Sequence, residues 1–305
     1  MRINGVVCGA YVVAVRDDVA CLIDIRANDR ATWFDVALDD IEDWAGTVGA
    51  LGVKGPVGAY AFITDGVVTE STIAVDSIHI AQPPPEIVDS FLRRGYVPIV
   101  SGHINARIGG NGPTPPERRS TGEDVTVGTW TSMYRIIRRM ISVVDASFRT
   151  LPWHTGPGAS SLDLMRTYLP VALPEGIIMA QYDGEPVGGV IVHRDVRTVP
   201  PYVLRLPIWM QRPWLFLAAR TTPHIHVSVA GVLPHMRRTK VGLAVYEEFV
   251  SLMSRMGDVT TSWIDDRNEQ SSRLTVHAGL TPCQHRQVFY RNISLESTHH
   301  SGGSL

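Results

Sequence analysis

Val227-Ser-Val-Ala-Gly-Val-Leu-Pro-His-Met-Arg-Arg-Thr-Lys-Val-Gly-Leu-Ala-Val-Tyr-Glu-Glu-Phe-Val250 opens as a β-branched run and turns at Pro234. It then continues with apolar residues at helical spacing, Val241, Val245, Phe249 and Leu252. A strand that feeds a helix through a short turn leaves backbone N–H groups unpaired at the positive end of the helix dipole, which is a site for an anion. Arg237, Arg238 and Lys240 add three cations to the same turn. The local chemistry is that of a phosphate cradle, or of a solvated helix start.

Pro234-x-x-Arg237-x-x-Lys240-x-Gly242 resembles the pyrophosphate-binding loop of GNAT-type N-acetyltransferases, whose pattern is Gln/Arg-x-x-Gly-x-Gly/Ala. Arg237 fills the first place and Gly242 the last, while Lys240 stands where the family has its middle glycine. Downstream, Asn268-x-x-Ser271-x-x-Leu274-Thr275-x-x-x-Gly279-Leu280 is similar to the family's late segment, in which a strand ends at Asn and a helix runs to Gly-Phe. A strand over 260–264 precedes it and a closing strand over 288–293 follows. The resemblance covers roughly residues 128–293. It implies an α/β fold with a mixed, mainly antiparallel central sheet flanked by helices, and acetyl-CoA or another acyl-CoA as cosubstrate. The acceptor it implies is an amine of a small molecule or peptide.

The resemblance also assigns residues. The N–H groups of 238–243 would hold the pyrophosphate, with Val232, Arg237, Arg238, Thr239, Lys240, Val241, Gly242 and Leu243 around the cofactor, and Asn268 and Ser271 completing its site. Residues 229–232 would polarise the thioester carbonyl. Counting back from Arg237, His226 occupies the strand position where some family members place a Glu general base. His224, His226 and Ser228 alternate and so fall on one face. An imidazole titrating near pH ~6.5 is a base without large tuning; a satisfied core histidine fits the same pattern. Many family members carry a Tyr acid after the leucine of the late helix, and Thr275 stands there instead. His277, His285 or Tyr290 would then protonate the thiolate, or it departs unassisted. That gap leaves a second possibility, a non-catalytic protein that binds acyl-CoA as a sensor.

Upstream of the cradle, residues 132–148 carry Ile136, Ile137, Met140, Ile141 and Val144 on one side of a predicted helix, and a second helix is expected over 161–169. The loop between them borders the acceptor in the resembling family, so Trp153 and His154 are acceptor contacts by that likeness. Residues 176–193 read as a hairpin turning at Asp183-Gly184. Residues 194–221 hold Trp209 and Trp214 among prolines and aliphatics where a short hairpin is expected. They are an insertion packed on the other domain, a lid in which Trp214 touches substrate, or a homodimer surface.

The first hundred residues read as strands over 6–15 and 19–25, a helix over 33–51, a hairpin over 57–68 and a proline-opened helix ending at Gly95-Tyr96. That ending is similar to the close of a GNAT unit, but no phosphate-loop pattern precedes it. The N-terminal part is then a reduced GNAT-like half, or an α/β domain with a similar ending; the first reading gives two GNAT-like units in tandem, which is the expectation. The first, 1–108, is reduced; a Gly/Pro-rich linker spans 109–125, the acyltransferase unit 126–295, and a flexible tail 296–305.

The bulk properties of the 305 residues set the outer limits. A formal charge of −2 with 19% charged residues gives no electrostatic case for nucleic acid or an anionic membrane surface. Cys8, Cys21 and Cys283 form no CxxC and suggest no disulfide framework. Two histidines without a third ligand are no metal site. No apolar run reaches the roughly 20 residues of a membrane helix, and no signal-peptide pattern follows Met1, so a cytoplasmic location is expected.

Overall fold

In the computed structural model, residues 2–3, 6–7, 9–27, 31–57, 66–73, 86–114, 125–148, 169–195, 203, 206–237 and 239–293 are described. The strands are β1 Arg2–Ile3, β2 Val6–Val7, β3 Gly9–Arg16, β4 Val19–Ala27, β5 Gly52–Gly55, β6 Val67–Ser71, β7 Val97–Arg107, β8 Val125–Val127, β9 Ala172–Tyr182, β10 Glu185–Arg194, β11 Ile225–Val232, β12 Val259–Thr261, β13 Ile264–Asp265 and β14 Thr281–Asn292. The helices are α1 Ala31–Thr47, α2 Ile87–Arg93, α3 Met133–Phe148, α4 Ile208–Thr221, α5 Lys240–Ser254 and α6 Glu269–His277.

Twelve strands form one sheet in the order β3-β4-β5-β14-β7-β12-β11-β10-β9-β8, with β6 also on β14 and β13 also on β7. Two pairs are parallel, β4 with β5 and β11 with β12, and each is joined by a crossover helix, α1 or α5. The element order repeats: β4-α1-β5-β6-α2-β7 in the first half, β11-α5-β12-β13-α6-β14 in the second. The sheet is mixed and mainly antiparallel, as expected. The last strands are exchanged between the halves. β14 lies between β5 and β7, and β7 lies between β14 and β12.

Helices cover both faces of the second half. On one side α5 buries Val241, Val245, Phe249 and Leu252 against Ile178, Val190, Ile225 and Val227. On the other α3 buries Met133, Ile136, Ile137 and Met140 against Ile177, Met179, Ile191 and Val229. In the first half, Trp33, Phe34, Phe91, Tyr96 and Phe289 fill the space between α1, α2 and the sheet.

Several sequence expectations change in detail. The helix expected over 33–51 runs over 31–47, and the strand expected over 260–264 is two short ones, broken at Ser262 and Trp263. The 57–68 hairpin and the 161–169 helix fall largely or wholly outside the described residues. The 176–193 hairpin forms, with Asp183 and Gly184 both at positive φ, as its two-residue turn requires.

The stretch 194–221 departs most from expectation. Its second part is α4, and it packs through Leu215, Ala218 and Ala219 on Val171, just before β9. Among the described residues these contacts are with its own half.

Arg107 ends β7 and reaches into the second half. Its guanidinium donates to Met253 O (2.7 Å), Met256 O (2.8 Å), Gly257 O (3.3 Å) and Ala278 O (2.9 Å). These carbonyls lie at the C-terminal ends of α5 and α6, where a cation is favoured by the helix dipole. Arg107→Ala strands them in a buried site, and we expect it to lower unfolding free energy by about 3 kcal/mol. A urea midpoint equal to that of the unsubstituted chain would refute this.

Candidate active site

The site follows from a defect in β11. Val192 of β10 stands opposite Val227 and Ile191 opposite Val229, so Ser228 is an extra residue, a β-bulge. On the other edge, pairing with β12 ends at Val227 opposite Thr261, with one further bond from Ser262 N to Val227 O (2.9 Å). Beyond that point the strands part, because β13 pairs with β7 instead. Neither ladder includes Ser228. A gap therefore opens in the middle of the sheet, where backbone groups turn away from their neighbours.

Two adjoining cavities occupy this gap. The larger, about 320 Å³, is lined by Val190, Ala230, Gly231, Val232, Arg237, Gly242, Val245, Tyr246, Phe249, Asp265, Arg267, Asn268, Gln270, Ser271 and Leu274. The smaller, about 60 Å³, reaches into the sheet between Val227, Ser228, Thr261, Ser262, Trp263 and Thr275. Ala230, Phe249, Asp265, Asn268, Ser271 and Leu274 border both.

α5 points its first turn at the larger cavity. Its N-cap, Thr239, makes no side-chain cap; its hydroxyl donates back to Met236 O instead (2.8 Å). The amide groups of the first turn thus lack the usual side-chain acceptor. Gly242 lies so close to the preceding turn that a Cβ there would sit 2.7 Å from Arg237 O and 2.8 Å from Met236 O. Only glycine allows that approach. Arg237 donates through Nε to Val232 O (3.0 Å), which sets its side chain along the cavity rim.

Across the cavity, Arg267 is gripped by the buried Asp265. Its Nε and backbone N–H each lie 2.9 Å from Oδ1, and Nη2 lies 2.5 Å from Oδ2. The hydrogen bond to Asp265 raises the guanidinium pKa further, so Arg267 stays cationic. The next carboxylate, Asp266, bridges His103 of β7 (2.9 Å) and His285 of β14 (3.3 Å), which pins this loop to the exchanged strands.

Of the residues singled out in the sequence, Val232, Arg237, Gly242, Asn268 and Ser271 line the larger cavity. Asn268 also caps α6, its Oδ1 accepting from Ser271 N (3.2 Å). Val241 faces the core beneath α5, Thr239 is the N-cap, and Lys240 and Leu243 are exposed outside the lining. Ser228 lines the smaller cavity. His226 lines neither cavity; it is fully buried, with Nδ1 3.0 Å from Thr260 Oγ1 and Nε2 3.0 Å from Ser262 Oγ.

Trp214, 44% exposed, and the other described residues of α4 are not among those lining either cavity. Trp153, His154 and Arg238 lie outside the described residues. Tyr246, Arg267 and Gln270 were missed by sequence reasoning. Arg267 and Gln270 flank Asn268, so their signal was their place beside a recognised helix start.

The proposed thiolate acids are elsewhere. His277 contacts Arg273 O on α6, His285 is held by Asp266 and Thr69, and Tyr290 packs over Gly52. Cys283 is no nucleophile: burial pushes its thiol up to about 11, and it donates to Ile104 O. Among the described residues no group of three His, Cys, Asp or Glu side chains is placed to hold a metal ion. None of the described helices is long and apolar enough to cross a membrane.

No family model matches the chain, and no curated protein matches it in sequence. Solved structures do match in fold. A GCN5-related N-acetyltransferase from Sphaerobacter thermophilus superposes with TM-score 0.50 at 13% identity, over 95% of this chain and 78% of that one. A tandem GNAT protein from the clavulanic acid biosynthesis pathway gives 0.51 at 12%, over 96% and 81%. The GCN5-related glucosamine N-acetyltransferase region of a fungal multi-domain β-N-acetylglucosaminidase is matched with TM-score 0.54 at 13%, over 94% of this chain and 32% of that one. The fold is therefore that of the GNAT acetyltransferases, at a sequence distance where the likeness is one of fold.

Ser228 is 5% exposed, and its hydroxyl has no hydrogen-bond partner among the described residues. A buried hydroxyl without a partner costs folding energy. Ser228→Ala is expected to leave the melting temperature of the ligand-free protein unchanged or slightly raised. A loss exceeding about 1 kcal/mol would mean that the hydroxyl has a structural partner after all.

Proposed function

We propose that the chain is a CoA-dependent N-acyltransferase, moving an acetyl or other acyl group from an acyl-CoA thioester to an amine of a small molecule or peptide. The observation that carries this is the uncapped first turn of α5, opening beside Arg237 and Gly242 onto a cavity that continues into the parted sheet. The diphosphate of CoA sits on the amides of that turn, with Arg237 and Arg267 as counter-charges. The pantetheine arm follows the larger cavity between β11 and α6. The thioester lies at the gap, where backbone N–H groups near Ser228 and Val229 polarise its carbonyl. The fold shared with N-acetyltransferases supports the same reaction class.

The smaller cavity accommodates a short acyl group. Its volume is about 60 Å³, against about 320 Å³ for the larger one. Phe249 and Trp263 bound it with large rings, so a long chain meets side chains rather than space. The first half serves as support. Its corresponding interior is filled by Trp33, Phe91, Tyr96 and Phe289.

Calorimetric titration of the full chain with acetyl-CoA should therefore give one site per chain, and mass spectrometry with an amine library should reveal an acylated product. Gly242→Asp puts bulk and a like charge into the cradle. Binding should weaken by at least about 100-fold, since such juxtaposed charges cost several kcal/mol. Undiminished affinity in Gly242→Asp, or two sites per chain, would overturn the assignment.

A further inference from the structure

Four side chains, from β11, β12 and the residues just past β10 and β12, form a continuous hydrogen-bonded line from the core to the wall of the smaller cavity. Asp195, just past β10, is fully buried, and its Oδ2 lies 3.3 Å from Thr260 Oγ1 on β12. Thr260 Oγ1 lies 3.0 Å from His226 Nδ1, and His226 Nε2 lies 3.0 Å from Ser262 Oγ. Ser262 is half-buried and borders the cavity. The donors can be assigned. Besides the imidazole, Thr260 Oγ1 faces Ile225 O (3.4 Å), an acceptor only, and Asp195 Oδ2, which is an acceptor when the carboxyl is ionised. Its proton goes to one of them, so its oxygen accepts from His226 Nδ1–H. Nε2 is left as the acceptor, and Ser262 donates to it.

We infer that Ser262, His226, Thr260 and Asp195 form a proton relay, in which Ser262 meets the substrate, His226 is the base behind it, and Thr260 and Asp195 are positioning residues. This rests on the acyl-transfer assignment above. As the amine nitrogen bonds to the thioester carbon, its surplus proton passes to Ser262 Oγ while Ser262's own proton passes to Nε2. The C–S bond breaks, and the sulfur leaves as thiolate. The imidazolium returns its proton through Ser262 to that thiolate, giving amide and free thiol with the relay restored. The Asp195 carboxylate, one hydroxyl away, offsets the charge while the ring is protonated. The relay acts first as base and then as acid, so no separate acid is needed.

The other titratable groups around His226 are His193, opposite it on β10, and the His224–Asp258 pair (2.8 Å) one turn of the strand away. α3 presents apolar side chains to this region, and its Arg135, Arg138 and Arg139 are exposed.

The test uses the full-length protein and two independent measurements. In kinetics with acetyl-CoA and the amine found in the product screen, Ser262→Ala should lower kcat by about 100-fold with the acetyl-CoA affinity unchanged. Asp195→Asn should move the acidic limb of the rate profile to lower pH, because the imidazolium loses its counter-charge. Wild-type turnover and pH profile in Ser262→Ala, or an acyl group retained on Ser262 in intact-mass measurements, would overturn the relay. Nitrogen-15 NMR of the histidines, assigned with His226→Gln, reads the geometry without turnover. The relay requires neutral His226 to carry its proton on Nδ1, and a proton on Nε2 overturns it. If acetyl-CoA fails to bind the wild type at all, the acyl-transfer assignment fails, and the NMR result still judges the hydrogen-bonded line separately.

Discussion

The contact between Arg107 and the C-terminal ends of α5 and α6 is the constraint on which the rest of the site depends. A single guanidinium from β7 satisfies carbonyls of Met253, Met256, Gly257 and Ala278. Burial lowers its pKa, and Asp258 nearby acts in the opposite sense; an arginine remains charged under both influences. With their C-terminal ends fixed to one group, both helices run alongside the larger cavity, and their first turns reach it through Gly242 of α5 and through Asn268, Gln270 and Ser271 at the start of α6. Those first turns are unequal. α6 is closed by Asn268, whose Oδ1 takes the N–H of Ser271. α5 has no such cap, because Thr239 turns its hydroxyl back to Met236 O. An anion is therefore favoured on the α5 side, and a neutral, hydrogen-bonding portion of a ligand on the α6 side.

Exchange of β7 and β14 makes the first half part of the site although no binding pattern occurs in it. Trp263 walls the smaller cavity, and its indole rests on β7 at Gly102, where a Cβ would lie 1.9 Å from Nε1. β14 in turn is held in the first half by Phe289 stacked on Phe91 at 5.1 Å, and by Arg291 bonded to Glu42 (2.9 Å). Glu42 also receives Arg94 and Tyr96, so one carboxylate collects α1, the end of α2 and β14. A fragment containing only the second half would lose β7, the floor under Trp263, and Arg107 together.

The parts legible in the sequence are those whose cause is local. The strand–turn–helix at 227–250 shows itself by a β-branched run, Pro234, and apolar spacing of three to four residues. The Asp183-Gly184 turn and the Asn268 cap are likewise decided by neighbours in the chain. The interleaving of β5, β14, β7 and β12 was not legible, since it joins residues far apart in the chain, such as Asn292 with Gly52 and Val259 with Arg107, through ordinary ladder bonds. His226 was singled out by its place before the turn at Pro234, yet Thr260 and Ser262, which hydrogen-bond it, and Asp195 behind Thr260, come from distant parts of the chain and carry no spacing signal. The segment 207–221 was misleading for another reason. Its prolines suggest a stiff arm, but Pro207 sits at the N-cap of α4. Pro213 removes only the N–H that Trp209 O would accept, at a residue 70% exposed and open to water.

Thr275 gains a physical explanation from the same geometry. Its hydroxyl lies 2.9 Å from Ser272 O and 3.2 Å from Ser271 O, and it accepts from Asn105 Nδ2 at 2.6 Å. Both its proton and its lone pair are thus engaged within the protein, and the Asn105 amide comes from β7. A tyrosine at this place would have to displace that amide from a closed part of the core, because Asn105 is itself buried. The exchanged strand thus engages Thr275 on both sides without closing the gap beside Ser228 and Ser262, and at that gap His226 of β11 meets the cavity-facing hydroxyl of Ser262.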